Sequence, residues 1–295
     1  MTNPIQQAFH ATGFSLNYYE WGQPNQAPTV LLFHATGFHA RCWDKVIAAL
    51  PDRHIIAVDT PGHGLSSHNG PFDSWAEIGA PLKEFVAALP HTHMVGAGHS
   101  MGGHCMVQVA AEQPNAFRHM VLIDPVIPRP EAYDPKRWGI EMPTPADHPV
   151  ARRRNVWRDW QDMFAHFESR NPYSLWRADV LEDYCRYGVV PNPDGDSYVL
   201  ACPPVVEASV YLGKRPMELY DHLASITVPV DVLRAKMPDR DKLKMMDFST
   251  SPTWENLAQQ FPQGRDHYMP ELTHFIPMQD PGRVARFIEG AASSR

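Results

Sequence analysis

Short apolar runs recur along this chain at intervals, with helical patterns between them. "TVLLFHA" (29–35), "HIIAVDT" (54–60), "THMVGAG" (92–98), "HMVLIDP" (119–125) and "VPVDVLRA" (228–235) are nearly continuous in apolar residues and end in turns. Such runs suit strands buried on both faces, as in a parallel sheet covered by helices. "RDHYMPEL" (265–272) is a weaker sixth strand, and "FHATGFSLNYYEWG" (9–22) reads as a hairpin about Thr12-Gly13. In "RCWDKVIAALP", Trp43, Val46, Ile47 and Leu50 share one helical face, and Pro51 ends it. Ser74, with Glu77 three residues on, opens a second helix as a capping box. Trp75, Ile78, Leu82, Phe85, Val86 and Leu89 follow at helical spacing, with Pro81 expected to kink it. Asp280-Pro281 supplies an N-cap and first position for a last helix carrying Val284, Phe287 and Ile288.

Strand and helix alternate, so the expected fold is α/β: a mostly parallel, doubly wound sheet with helices on both faces. The alternation stops between about Pro128 and Leu223, a stretch with Trp138, Trp157, Trp160 and Trp176 and many arginines and prolines. It reads as a mainly helical insertion over the strand ends. The expected division is therefore a core of residues 1–127 and 224–295 and an insertion of 128–223. No internal repeat or low-complexity tract interrupts this plan.

Composition narrows the partners. The 295 residues are 43% hydrophobic, and the net charge of −7 comes from intermixed acids and bases. No long basic run marks a nucleic-acid surface, and "ARRRNVWR" (151–158) reads as a solvated helix face. The N-terminus has no charged start or apolar signal core, and no apolar run approaches the ~18 residues of a membrane span. Cys42, Cys105, Cys185 and Cys202 are far apart, without CxxC pairing, and read as buried free thiols of a reducing compartment. The expectation is a cytoplasmic protein without a membrane or nucleic-acid partner; oligomeric state is not legible.

The chemistry concentrates in "MVGAGHSMGGHCMVQVAAEQP" (94–114). Gly96, Gly98, Gly102 and Gly103 surround Ser100 where an apolar strand gives way to a helical run stopped by Pro114. A strand turning abruptly into a helix strains the apex residue, and small neighbours two positions either side avoid clashes. Gly98-His99-Ser100-Met101-Gly102 fits that GxSxG turn, whose apex side chain stands at the carboxyl end of the sheet. A serine hydroxyl needs a base within hydrogen-bond reach, and the base needs an orienting carboxylate. Among sixteen histidines, His274 in "LTHFIPMQDP" follows the last strand and precedes the last helix, so it lies at the same sheet edge. His91 and His93 have metal-pair spacing but no ligand cluster beside them, and read as surface residues. His34 and His63 are expected to hold loops together, and His99 and His104 to be structural.

With these motifs on hand, the chain resembles the α/β-hydrolase fold family. "LLFHATGFHARCW" is similar to that family's strand-three loop, "IIAVDTPGHGLS" to its next strand and turn, and "GHSMGG" to its nucleophile elbow. "VPVDVLRA" is similar to its penultimate strand and "LTHFIPMQDP" to its histidine loop. The resemblance implies a sheet of about eight strands, a cap formed by the insertion, and a serine hydrolase of the esterase-like branch. It implies Ser100 as nucleophile, His274 as base, and the backbone N–H groups of Thr36 and Met101 as the oxyanion hole. The family usually has His-Gly where this chain has His34-Ala35, and Thr36 also offers its hydroxyl. The acid is open between two positions. The slot beyond the penultimate strand falls on Pro238, with Asp239 one residue late and Asp241 later still; Asp124, at the end of the strand after the nucleophile helix, is the other position some members use.

Two function classes follow. One is an acyl hydrolase without metal or organic cofactor, acting on a small-molecule ester or related acyl compound with an apolar portion. Hydrolysis of a C–C bond by the same triad is its close variant, whereas dehalogenase or epoxide hydrolase chemistry wants an Asp in place of Ser100. The other class is a non-catalytic binding protein on the same scaffold. Nothing in the chain points to lipidation.

Overall fold

The structure is a computed structural model that describes residues 3–50, 52–133, 144–216, 218–238 and 247–293. The chain opens with the hairpin β1 (Ile5–Ala11) and β2 (Phe14–Trp21), whose register pairs Ala11 with Phe14 across the Thr12-Gly13 turn. β3 (Val30–Phe33) follows, and then a 3₁₀ turn (Ala40–Trp43) running into a single turn of helix, α1 (Asp44–Ile47). The apolar face expected for one longer helix is kept, since Trp43, Val46, Ile47 and Leu50 are all buried. β4 (Ile55–Val58), α2 (Trp75–Ala88), β5 (Met94–His99), α3 (Met101–Glu112) and β6 (Phe117–Ile123) continue the alternation. Ala76 N–H donates to Ser74 Oγ at 3.1 Å, capping α2, which runs on through Pro81.

From β6 the chain passes through 3₁₀ turns to a short strand, β7 (Val156–Trp157), and the helices α4 (Trp160–Phe167) and α5 (Ala178–Tyr187). Next come β8 (Val189–Pro191), β9 (Tyr198–Leu200), α6 (Pro204–Leu212) and α7 (Leu219–Leu223). β7, β9 and β8 form a small antiparallel sheet within a stretch whose sequence suggested helices. "ARRRNVWR" is likewise not a helix face: a 3₁₀ turn (Pro149–Arg152) leads into β7, and Arg153 turns inward. The chain closes with β10 (Val230–Ala235), β11 (Gly264–Met269), α8 (Ile276–Gln279) and α9 (Pro281–Ser293). Arg283 N–H donates to Asp280 Oδ1 at 2.9 Å, the N-cap of α9.

The main sheet has eight strands in the order β1-β2-β4-β3-β5-β6-β10-β11. β1 and β2 are antiparallel additions at one edge, and every pairing from β4 to β11 is parallel. The continuous apolar runs acquire their reason here. In β3, Leu31 and Phe33 face a core layer completed by α2 and α3, while Val30 and Leu32 face a second layer completed by α1 and α9. Neither face of a central strand meets water, so neither face has use for a polar residue. A third cluster joins Trp157, Trp176 and Tyr184, which lie between β6 and β10, to Ala35, Phe38 and Phe275, which stand at the carboxyl ends of the sheet.

Candidate active site

Ser100 joins β5 to α3 with φ 57° and ψ −118°. Few residues other than glycine take such a backbone, which costs about 1–3 kcal/mol and persists only where surroundings enforce it. Here Ser100 N–H donates to Ile123 O at 3.0 Å, and Ser100 C=O accepts from the N–H groups of His104 and Val126. The flanking glycines are small because space is absent. A Cβ on Gly98 would lie 2.5 Å from Gly102 O, and one on Gly102 would run into the carbonyls of Phe33 and His34. The first turn of α3 is thereby pressed against the end of β3, where the loop that carries Thr36 begins.

His274 arrives from far along the chain. His274 Nε2 lies 2.9 Å from Ser100 Oγ, and His274 Nδ1 lies 2.7 Å from Asp124 Oδ2. A carboxylate accepts only, so Nδ1 carries the proton and Nε2 is left to accept from the serine hydroxyl. All three side chains are buried. Asp124 directly follows β6 at φ 43°, and its N–H donates to Leu233 O at 2.7 Å. Its second oxygen, Oδ1, accepts from Ala235 N–H at 2.9 Å and from the Ser251 hydroxyl at 2.5 Å. Asp124 thus bridges β10, the following loop and the histidine. Asp239, the other sequence candidate, lies outside the described residues. Ser251 and Thr253, whose hydroxyls reach Asp124 and Pro125, had no signal in the sequence beyond a serine- and threonine-rich loop.

Two further histidines hold the loops around Ser100 and His274. His99 Nε2 lies 2.8 Å from His274 O. A carbonyl can only accept, so Nε2 bears the hydrogen. Burial, and then the neighbouring His274, push the His99 pKa down to about 3, so its ring is neutral at pH 7. His34 Nδ1–H donates to Ala35 O at 2.8 Å, and its Nε2 accepts from Thr60 N–H at 2.9 Å. Burial, with His63 nearby, lowers its pKa well below the ordinary value and keeps that tautomer neutral.

The Ala35 carbonyl also accepts from Phe38 N–H at 3.1 Å, closing a turn with Gly37 at φ 77°. In a trans peptide the N–H points opposite to the C=O. Two hydrogen bonds on the Ala35 carbonyl therefore fix the direction of the Thr36 N–H. Met101 is the first residue of α3, where a helix has no acceptor for its N–H and presents the positive end of its dipole. Aromatic rings wall the place: Phe248 lies 6.1 Å from the His274 ring, and Phe38 and Trp176 both pack on Phe275. The four cysteines are buried and unpaired, and His91 and His93 stand apart from Ser100 at the start of β5. Among the described residues, no helix is long and apolar enough to cross a membrane.

A family model described as the alpha/beta hydrolase family matches residues 30–287. A serine hydrolase-like protein of Danio rerio is 29% identical over 169 residues, covering 55% of this chain and 52% of the relative. An esterase of Mycobacterium tuberculosis is 30% identical over 128 residues, covering 42% of this chain and 41% of the relative. The chain thus spans about half, or less, of the length of the curated relatives it matches. The crystal structure of E-2-(acetamidomethylene)succinate hydrolase shares the fold at TM-score 0.74 and 21% identity, over 99% of this chain and 100% of that one.

Proposed function

Because the chain belongs to the alpha/beta hydrolase family, we propose that it is a serine hydrolase that cleaves a small-molecule ester or related acyl compound through an acyl-enzyme. The observation that carries this reading is the continuous relay of Ser100 Oγ, His274 and Asp124, at 2.9 and 2.7 Å, beneath a strained serine. Ser100 Oγ attacks the acyl carbon while His274 Nε2 takes its proton. Asp124 holds the imidazole in the required tautomer and stabilises the imidazolium that forms. The N–H groups of Thr36 and Met101 receive the oxyanion, with the α3 dipole behind them. His274 then protonates the leaving group, and water activated by the same nitrogen releases the acid.

Phe38, Trp176, Phe248 and Phe275 favour an apolar portion in the substrate. The test is a panel of p-nitrophenyl esters of graded chain length, assayed beside a vinylogous diketone. Turnover of esters that disappears in Ser100→Ala is the expected result. Turnover of the diketone alone would move the reading to C–C bond hydrolysis. A folded protein that turns over neither would indicate a binding role.

A further inference from the structure

Resting on the serine-hydrolase reading, we propose that Glu207, held by Arg153, is a positioning residue: the insertion grips the turn that presents Thr36 N–H to the oxyanion. Gly37 and Phe38 of that turn, and His39 just after it, meet residues of the insertion. A Cβ on Gly37 would lie 2.5 Å from Glu207 Oε1, so the carboxylate is seated on the bare Cα of this glycine. The Phe38 ring packs on Tyr184 at 5.2 Å. His39 Nε2–H donates to Tyr184 O at 3.0 Å. Arg153 binds the two gripping residues together, donating from Nη1 to Glu207 Oε2 at 2.6 Å and from Nη2 to Tyr184 OH at 3.2 Å.

The need for this grip is positional. Gly37 has φ 77°, Thr36 has no positive φ, and Phe38 N–H closes back to Ala35 O, which together make a type II turn. The hydrogen bonds on the Ala35 carbonyl orient the Thr36 N–H within the turn, but the turn as a whole must also be held at a fixed distance from Ser100. A carboxylate seated on Gly37 Cα opposes displacement of the turn, and of Thr36 with it. A carboxylate beside an oxyanion would repel it, and Arg153 supplies the compensating charge. Side-chain exposures of 19% for Arg153 and 7% for Glu207 leave little water to do so.

The test measures kcat and KM per active site, counted by fluorophosphonate titration, together with melting temperature and the Ki of a trifluoromethyl ketone. Such a ketone adds to the serine and loads the oxyanion hole, so its Ki follows oxyanion stabilisation. Glu207→Ala is expected to lower kcat about tenfold with KM within twofold, and to raise Ki in step. Arg153→Met is expected to lower kcat further, and Arg153→Met/Glu207→Gln to recover at least half of that loss. Where Glu207→Ala does not fold, Glu207→Gln carries the same test with an expected drop of about threefold. A lowered melting temperature with unchanged kcat per titrated site would make the pair merely structural and overturn the proposal. A raised KM with unchanged kcat would make it a substrate contact and overturn it equally. Wild-type protein that neither labels nor turns over esters would instead defeat the serine-hydrolase reading, and this inference with it.

Discussion

Asp124 presents one oxygen to His274 and the other to Ala235 N–H and Ser251. Asp124→Asn leaves the shape and removes the acceptor that fixes the imidazole proton on Nδ1. On the acyl-enzyme reading kcat falls by about 10³–10⁴-fold, while far-ultraviolet circular dichroism stays that of the wild type. Steady-state ester kinetics check this, and a drop of less than tenfold would point to another carboxylate. The meeting of Ser100 and His274 was legible from their settings: a serine between glycines at a strand-to-helix turn, and a histidine between the last strand and the last helix. The carboxylate that meets His274 was not, since Asp124 and Asp239 both follow apolar runs in the sequence, and sequence spacing does not report which carboxylate reaches an imidazole. Ser251 and Thr253 were invisible for a related reason: their partner lies just past β6, more than a hundred positions earlier.

Elements meet here through contacts too close for side chains. Gly102 in α3 lies against the carbonyls of Phe33 and His34, so Gly102→Ala must push the helix away from β3 and Met101 away from Thr36. The expected outcome is a stability loss of about 1–3 kcal/mol by urea denaturation, with a larger proportional loss of kcat than of melting temperature. At the far strands, Asp231 of β10 accepts from His119 of β6 and His267 of β11, each at 2.7 Å. Burial pushes the Asp231 carboxyl up, but hydrogen bonds from both imidazoles outweigh it and hold the pKa below the ordinary value. A depressed carboxyl stabilises the fold above its unfolded pKa, and that contribution is lost as pH falls through the folded one. Asp231→Asn is therefore expected to lower the melting temperature at pH 7 and to flatten its decline in acid; equal acid slopes for both proteins would contradict this. Strands of the central sheet were legible because burial on both faces leaves an unbroken apolar signature. β7, β8 and β9 were not, being two or three residues long and half exposed, too short for any periodicity to register.

For the molecule as a whole, the sheet delivers Ser100, Asp124 and His274 to one edge from three separate strand ends, and aromatic residues from between β6 and β10 pack at that edge. The order of the core was legible from alternation. The way the insertion grips the core was not, because Arg153 sits in a tract whose charge pattern reads as solvated and Glu207 on a helix without a distinguishing pattern. On the proposed mechanism Ser100 is a nucleophile activated by His274 across 2.9 Å. The most direct measurement is intact-mass and peptide mapping after exposure to a fluorophosphonate. One adduct per chain is expected, on Ser100, formed at least a hundredfold more slowly in His274→Ala. A folded protein that remains unlabelled, or that carries its adduct on another residue, would contradict it.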